Sequence, residues 1–158
     1  MTVSPSRSQT RKSQSFELVI YPYQGVGKIR FGMTREDVQG LLGEPSATFY
    51  KGLSTESPTD AYDDLGLHVY YNHPSGCCEA LEFFEPAQLF LDEKPLLGLS
   101  FHNLREWLAS QDPALEIDEE GLTCFKYGIG VYAPDWTENP DLSAQGILVF
   151  NKRNYYDQ

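Results

Sequence analysis

The sequence predicts an α+β domain in which short helices pack on antiparallel strands, and three observations carry that prediction. Gly32 to Pro45 is a complete specification for one short helix. The run Leu67 to Tyr71 alternates apolar and polar residues with the period of a half-buried strand. Helix, strand, turn and strand signals then recur in the same order further along the chain. At 158 residues with 41% apolar content, the chain has enough material for a core without staples. The expected organisation is a flexible tail over residues 1–15 and a single α+β domain over 16–158. That domain is made of two repeats, about 16–90 and 91–152, sharing one continuous sheet.

The elements follow in order. The tail is rich in Ser, Thr, Gln, Arg and Lys, with no apolar residue after Val3, so it has little to bury. Phe16 to Tyr21 reads as a strand closed by Pro22. Gln24 to Gly27 reads as a turn: it lacks the third glycine of a phosphate loop, and no helix opens directly behind it. In the helix that follows, Thr34 stands at the N-cap, Asp37 three residues on as its capping-box partner, and Met33 and Val38 as a hydrophobic staple. Val38, Leu41 and Leu42 make one apolar stripe, Gly43 suits a left-handed C-cap, and Pro45 prevents continuation. A helix of about two turns is not stable alone, so it must pack on something.

Ala47 to Tyr50 reads as a strand, and Gly52 to Asp60 as a polar segment. In the next strand Leu67, Val69 and Tyr71 alternate with His68 and Tyr70. Asn72 to Gly76 is a turn, and Cys78 to Phe84 returns with Leu81 and Phe83 on one face and Glu82 and Phe84 on the other. Gln88 to Leu91 is a short strand or extended link before Pro95. Then Gly98 to Leu108 repeats Gly32 to Leu42 at an offset of 66: glycine, apolar staple, hydroxyl N-cap Ser100, and apolar Leu104, Trp107 and Leu108. Tyr127 to Tyr132 mirrors Leu65 to Tyr70 at an offset of 62, and Gly146 to Phe150 mirrors Ala80 to Phe84 at 66.

The helix pattern at Gly32 to Pro45 resembles the signature of the small outer-membrane assembly lipoproteins and of the β-lactamase inhibitory protein group. The resemblance implies short helices on an antiparallel sheet, duplicated as in the inhibitor group, and a protein-binding role. The chain departs from it in having no lipobox cysteine near the N-terminus, and in carrying Ala109 to Pro113 where the first copy has Gly43 and Pro45. The segment Tyr62 to Tyr71, with the overall acidity, also resembles bacterial toxin-immunity proteins.

Charge narrows the function classes. The net charge is −11, and the tail holds three of the 12 basic residues (Arg7, Arg11, Lys12) and none of the 23 acidic ones, so the domain is more acidic than the chain. Nucleic-acid binding needs a cationic face and is disfavoured; an acidic domain attracts basic partners. An equally plain account is that acidity keeps the protein dispersed. No signal peptide or membrane span is legible, and Cys77, Cys78 and Cys124 have no disulfide-framework spacing, so the expected setting is reducing and cytoplasmic, away from membranes.

The expected working surface is the sheet face opposite the helices. If Leu67, Val69, Leu81, Phe83, Ile129, Val131, Ile147 and Val149 face the helices, the other face carries His68, Tyr70, Glu82, Phe84, Tyr132, Leu148 and Phe150, with Asp63 and Asp64 nearby. Exposed aromatics rimmed by carboxylates suit an interface, although loops, the tail or a homodimer would also cover them. The leading reading is a non-catalytic protein-binding protein, an immunity or inhibitor protein that neutralises a basic partner such as a toxin, with no cofactor and no metal. The alternative is a small hydrolase or metal-dependent enzyme centred on the His68 to Cys78 hairpin, where His68, His73, Cys77 and Cys78 fall close together. Against it, adjacent cysteines in a strand point to opposite faces. A structural subunit of a larger assembly is the third reading.

Overall fold

The computed structural model describes residues 17–50 and 57–151; the expected tail, residues 51–56 and the chain beyond 151 lie outside the described residues. In chain order the elements are β1 (Glu17–Tyr21), β2 (Gly25–Val26), β3 (Ile29–Arg30), α1 (Arg35–Leu42), β4 (Ala47–Tyr50), β5 (Pro58–Tyr62), a 3-10 turn (Asp63–Leu65), β6 (Leu67–Tyr71) and β7 (Cys78–Phe83). They continue with β8 (Gln88–Leu91), β9 (Lys94–Pro95), α2 (Phe101–Gln111), β10 (Glu116–Asp118), β11 (Gly121–Cys124), β12 (Ile129–Tyr132) and β13 (Gly146–Phe150).

The fold is α+β, but the strands form two sheets rather than the single one expected. The larger has the order β10-β11-β12-β13-β7-β6-β5-β4 and is antiparallel throughout. The smaller has the order β3-β2-β1-β8-β9, because β1 and β8 pair in parallel with each other, Leu18 opposite Leu89, instead of joining the long ladder. The turn expected at Gln24 to Gly27 contains β2, which pairs with β1 and β3. The polar segment ending at Asp60 contains the start of β5, whose Thr59 and Asp60 are buried.

Both helices form where their caps place them. Thr34 Oγ1 accepts the Asp37 N–H at 3.1 Å while Asp37 Oδ2 accepts the Thr34 N–H at 3.2 Å, and Ser100 Oγ accepts the Asn103 N–H at 3.1 Å. Gly43 closes α1 by donating its N–H to the Gln39 carbonyl at 2.8 Å, with φ 87° but ψ −164°, so it is not the left-handed cap its sequence suggests. Of the expected apolar stripe only Val38 is fully buried, whereas Leu41 is 45% exposed. In α2, Phe101, Leu104 and Leu108 are all fully buried, each contributing roughly 1.5–3 kcal/mol.

Each helix is followed by four antiparallel strands, and the two sets meet at β7 and β13. Their registers correspond. Leu67 opposite Phe83 and Val69 opposite Leu81 in β6–β7 match Ile129 opposite Val149 and Val131 opposite Ile147 in β12–β13. Tyr62 opposite Leu67 matches Cys124 opposite Ile129. The residues ahead of the helices behave alike too, since Thr34 bridges Cys77 and Ser100 bridges Ser143. At the junction Glu82 faces Leu148, its own counterpart at offset 66, so the pairs Leu81–Val149 and Phe83–Ile147 exchange with one another. The 3-10 turn's Gly66 and its counterpart Gly128 explain two of the glycines. With φ 67° and 71°, each accepts at its carbonyl the N–H of a strand-end residue, Phe84 and Phe150 respectively.

The inner face of the large sheet carries the core. Leu67, Val69, Leu81, Phe83, Ile129, Val131, Ile147 and Val149 are all buried, in one cluster with Val38, Phe101, Leu104 and Leu108 of the helices and Ile20, Leu89 and Leu91 of the small sheet. This is the face the alternation assigns to the helices.

One carboxylate lies inside this packing. Asp60 is 0% exposed and accepts four hydrogen bonds: from Arg35 Nε (2.9 Å) and Gln39 Nε2 (3.1 Å) at Oδ2, and from Arg35 Nη2 (2.8 Å) and Thr48 Oγ1 (2.8 Å) at Oδ1. It ties α1 to the β4–β5 edge.

Candidate functional site

The outer face of the large sheet falls into two regions that differ in how they are filled. Over β4–β7 it is occupied by its own side chains. His68 meets Phe84 edge-on at 4.8 Å between centroids, Phe49 at 5.4 Å and Tyr70 at 6.5 Å, and its Nδ1 lies 3.9 Å from Glu82 Oε1. Tyr70 Oη donates to that same oxygen at 2.5 Å. The sequence-predicted residues His68, Tyr70, Glu82 and Phe84 are therefore brought together, and Phe49, 38% exposed on the edge strand, joins them. The reading missed Phe49, although its place opposite Thr59 in the ladder puts it on this face.

Two expected surface residues are not surface. Phe150 is 0% exposed and Tyr70 7%, and with Ala80 they form a second small core. The cause is cover from the turn after β1: the Tyr23 ring meets Phe150 edge-on at 6.1 Å, Phe125 meets it at the same distance, and Tyr23 Oη donates to the Phe125 carbonyl at 2.5 Å. Phe150 is thus scaffold under the face rather than a contact on it. Asp63 and Asp64 are exposed in the 3-10 turn between β5 and β6, outside the aromatic cluster.

Over β10–β13 the described residues leave the outer face open. A groove of about 530 Å³ lies there, lined by Glu82, Glu116, Asp118 and Glu120 together with the aromatic Tyr132 and Phe125. Gly121, Gly130 and Gly146 form part of its lining without adding side chains to fill it. Tyr132 stands 47% exposed at its side, and among the described residues lining the groove there is no Lys, Arg or His. Glu82 belongs to both regions. One oxygen is held by Tyr70, and the other lies 3.6 Å from the position a Cβ on Gly146 would take, on the groove side.

The hairpin of the enzymatic alternative does not assemble. His68 lies on the outer face, Cys78 is buried in the inner core, His73 is exposed in the turn, and the Cys77 Sγ lies 3.8 Å from the Ser75 carbonyl. Among the described residues no group of three His, Cys, Asp or Glu side chains is placed to hold a metal ion. Burial pushes the Cys78 thiol up to about 12, away from nucleophile chemistry. Burial, together with its hydrogen bond to Asp112 Oδ2 at 3.3 Å, pushes Cys124 up to about 11. No helix among the described residues is long and apolar enough to cross a membrane. Compared with protein-family models, with curated proteins and with solved structures, the chain matches none.

Proposed function

We propose that this is a non-catalytic protein-binding protein, an inhibitor or immunity protein that neutralises a basic partner such as a toxin through the outer face of its large sheet. One observation carries the reading: that face presents aromatic side chains and four carboxylates side by side over an unfilled groove, while both helices are spent on the inner core. Interfaces are built from such partly exposed aromatic anchors with charged rims, and a negative surface steers a positive partner. The corresponding ladders support reading the domain as two copies of one unit, as the resemblance to the β-lactamase inhibitory group implies. The three free thiols suit the reducing, cytoplasmic setting proposed with it.

The test is calorimetric titration of the purified partner with wild-type protein and with Tyr132→Ala, at low and moderate salt. The reading expects a complex weakened by salt, because exposed charge pairs are screened over about 10 Å at 0.1 M. It also expects roughly tenfold or greater loss for Tyr132→Ala. An unchanged affinity in both comparisons contradicts it.

A further inference from the structure

The two halves of the outer face share a ladder but not a filling, and that difference says what the open half takes. In the register described above, Gly130 stands where the first half has His68, Gly146 where it has Ala80, and Tyr132 where it has Tyr70. In the first half the imidazole of His68 occupies the space between Phe49, Phe84 and Glu82, and Tyr70 is 7% exposed. In the second half Gly130 brings no ring to that position, and Tyr132 is 47% exposed among the described residues. The strand equivalent to β4 differs in the same sense: β10 brings Glu116 and Asp118 where β4 has Ala47 and Phe49. The open half therefore lacks the flat, hydrogen-bonding ring that its filled counterpart supplies from within, and its walls carry carboxylates that favour a cationic group in that place.

We propose that this groove receives an arginine side chain from an extended segment of a second protein, with the guanidinium stacked on the Tyr132 ring among the carboxylates that line the groove. The inference rests on the binding role proposed above and names the chemistry of its recognition. Arginine fits better than lysine, because its planar fork engages carboxylates with paired hydrogen bonds and stacks on aromatic faces, whereas an ammonium is a strongly hydrated point charge. The volume lies within the roughly 300–1,000 Å³ range of sites that enclose such groups.

The experiment is a titration of the full ¹⁵N-labelled chain with the peptide Gly-Ser-Arg-Ser-Arg-Ser-Gly, followed through the amides of Gly130, Gly146 and Glu116, beside its citrulline and lysine twins. Saturable shifts confined to those amides are expected, weakened about tenfold or more for the citrulline twin and reduced for the lysine twin. They should be abolished by Glu116→Lys, an exposed edge position whose substitution leaves the core untouched. Asp63→Asn with Asp64→Asn should leave them unchanged. Equal response to all three peptides, shifts spread over Asp63 and Asp64 as well, or no saturable shift at millimolar peptide overturns the proposal. So does a shift of the same amides on replacing Arg7, Arg11 and Lys12 by Gln without peptide, which would make the occupant this chain's own N-terminal segment. A partner whose affinity depends on Tyr132 but not on Glu116 would sink the arginine site alone; a partner indifferent to both would sink the binding face itself.

Discussion

Replacing Asp60 by Asn probes the polar clamp that holds α1 on the sheet. The carboxylate is fully buried and accepts from Arg35 twice, from Gln39 and from Thr48, all within 3.1 Å. Asn keeps one acceptor and turns an amide N–H₂ toward two donors. Breaking a buried ion pair costs about 3–5 kcal/mol. The lower end applies here, because the Arg35 side chain is 40% exposed and regains water when its partner is lost. For a chain of this size, about 3 kcal/mol lowers Tm by roughly 6–12 °C, read by circular dichroism on heating. Burial opposes the charge on Asp60, but the hydrogen bonds from Arg35, Thr48 and Gln39 outweigh it and hold the carboxyl below the ordinary aspartate value. A depressed folded value means the contribution is complete above the unfolded value of about 3.9 and is lost as pH falls through the folded one. The gap between wild type and Asp60→Asn should therefore be constant near neutrality and close in acid. A loss under about 1 kcal/mol near neutral pH, or a gap that widens as pH falls, refutes the reasoning.

Gly66→Ala should cost clearly more stability than Gly128→Ala in urea unfolding. Both positions have positive φ, but a Cβ at Gly66 would meet the Phe84 carbonyl at 2.0 Å, against 3.0 Å from the Phe150 carbonyl at Gly128. Thiol titration of the folded protein should release one rapid equivalent, from the partly exposed Cys77. Cys78 and Cys124, buried with values pushed to about 12 and about 11, should react only in denaturant. Three rapid equivalents in the native protein would contradict the packing of both.

What was legible in the sequence was local. The capping box of Thr34 and Asp37 spans four residues, and the alternation of Leu67, Val69 and Tyr71 shows which face is buried without reference to any distant segment. What stayed hidden depends on partners far along the chain. The start of β5 reads only as a polar segment because its buried Thr59 and Asp60 are polar, and Asp60 is tolerated only through donors from α1 and β4. Asp118 and Glu120 flank the turn from the edge strand β10 to β11 and line the groove, a placement no local pattern announces. Parallel pairing of β1 with β8 separates a second sheet from the first, and no short-range pattern announces it. Phe150 alternates correctly onto the outer face and is buried there by Tyr23, which is distant along the sequence. The groove is the hardest feature to read, because it is made by side chains that Gly130 and Gly146 do not have.

The central claim is that the outer sheet face, and not the helices or the small sheet, is where a partner docks. Photocrosslinking tests it directly, with p-benzoylphenylalanine placed singly at Tyr132, Leu41 and Tyr21 of the full chain in its native cells. These positions report on the outer face, α1 and the small sheet, and their exposures of 47%, 45% and 42% are close enough that accessibility alone does not favour one. The account predicts a crosslink to a basic protein from Tyr132 and none to it from Leu41 or Tyr21; the same protein captured from Leu41 or Tyr21 and not from Tyr132 would contradict it.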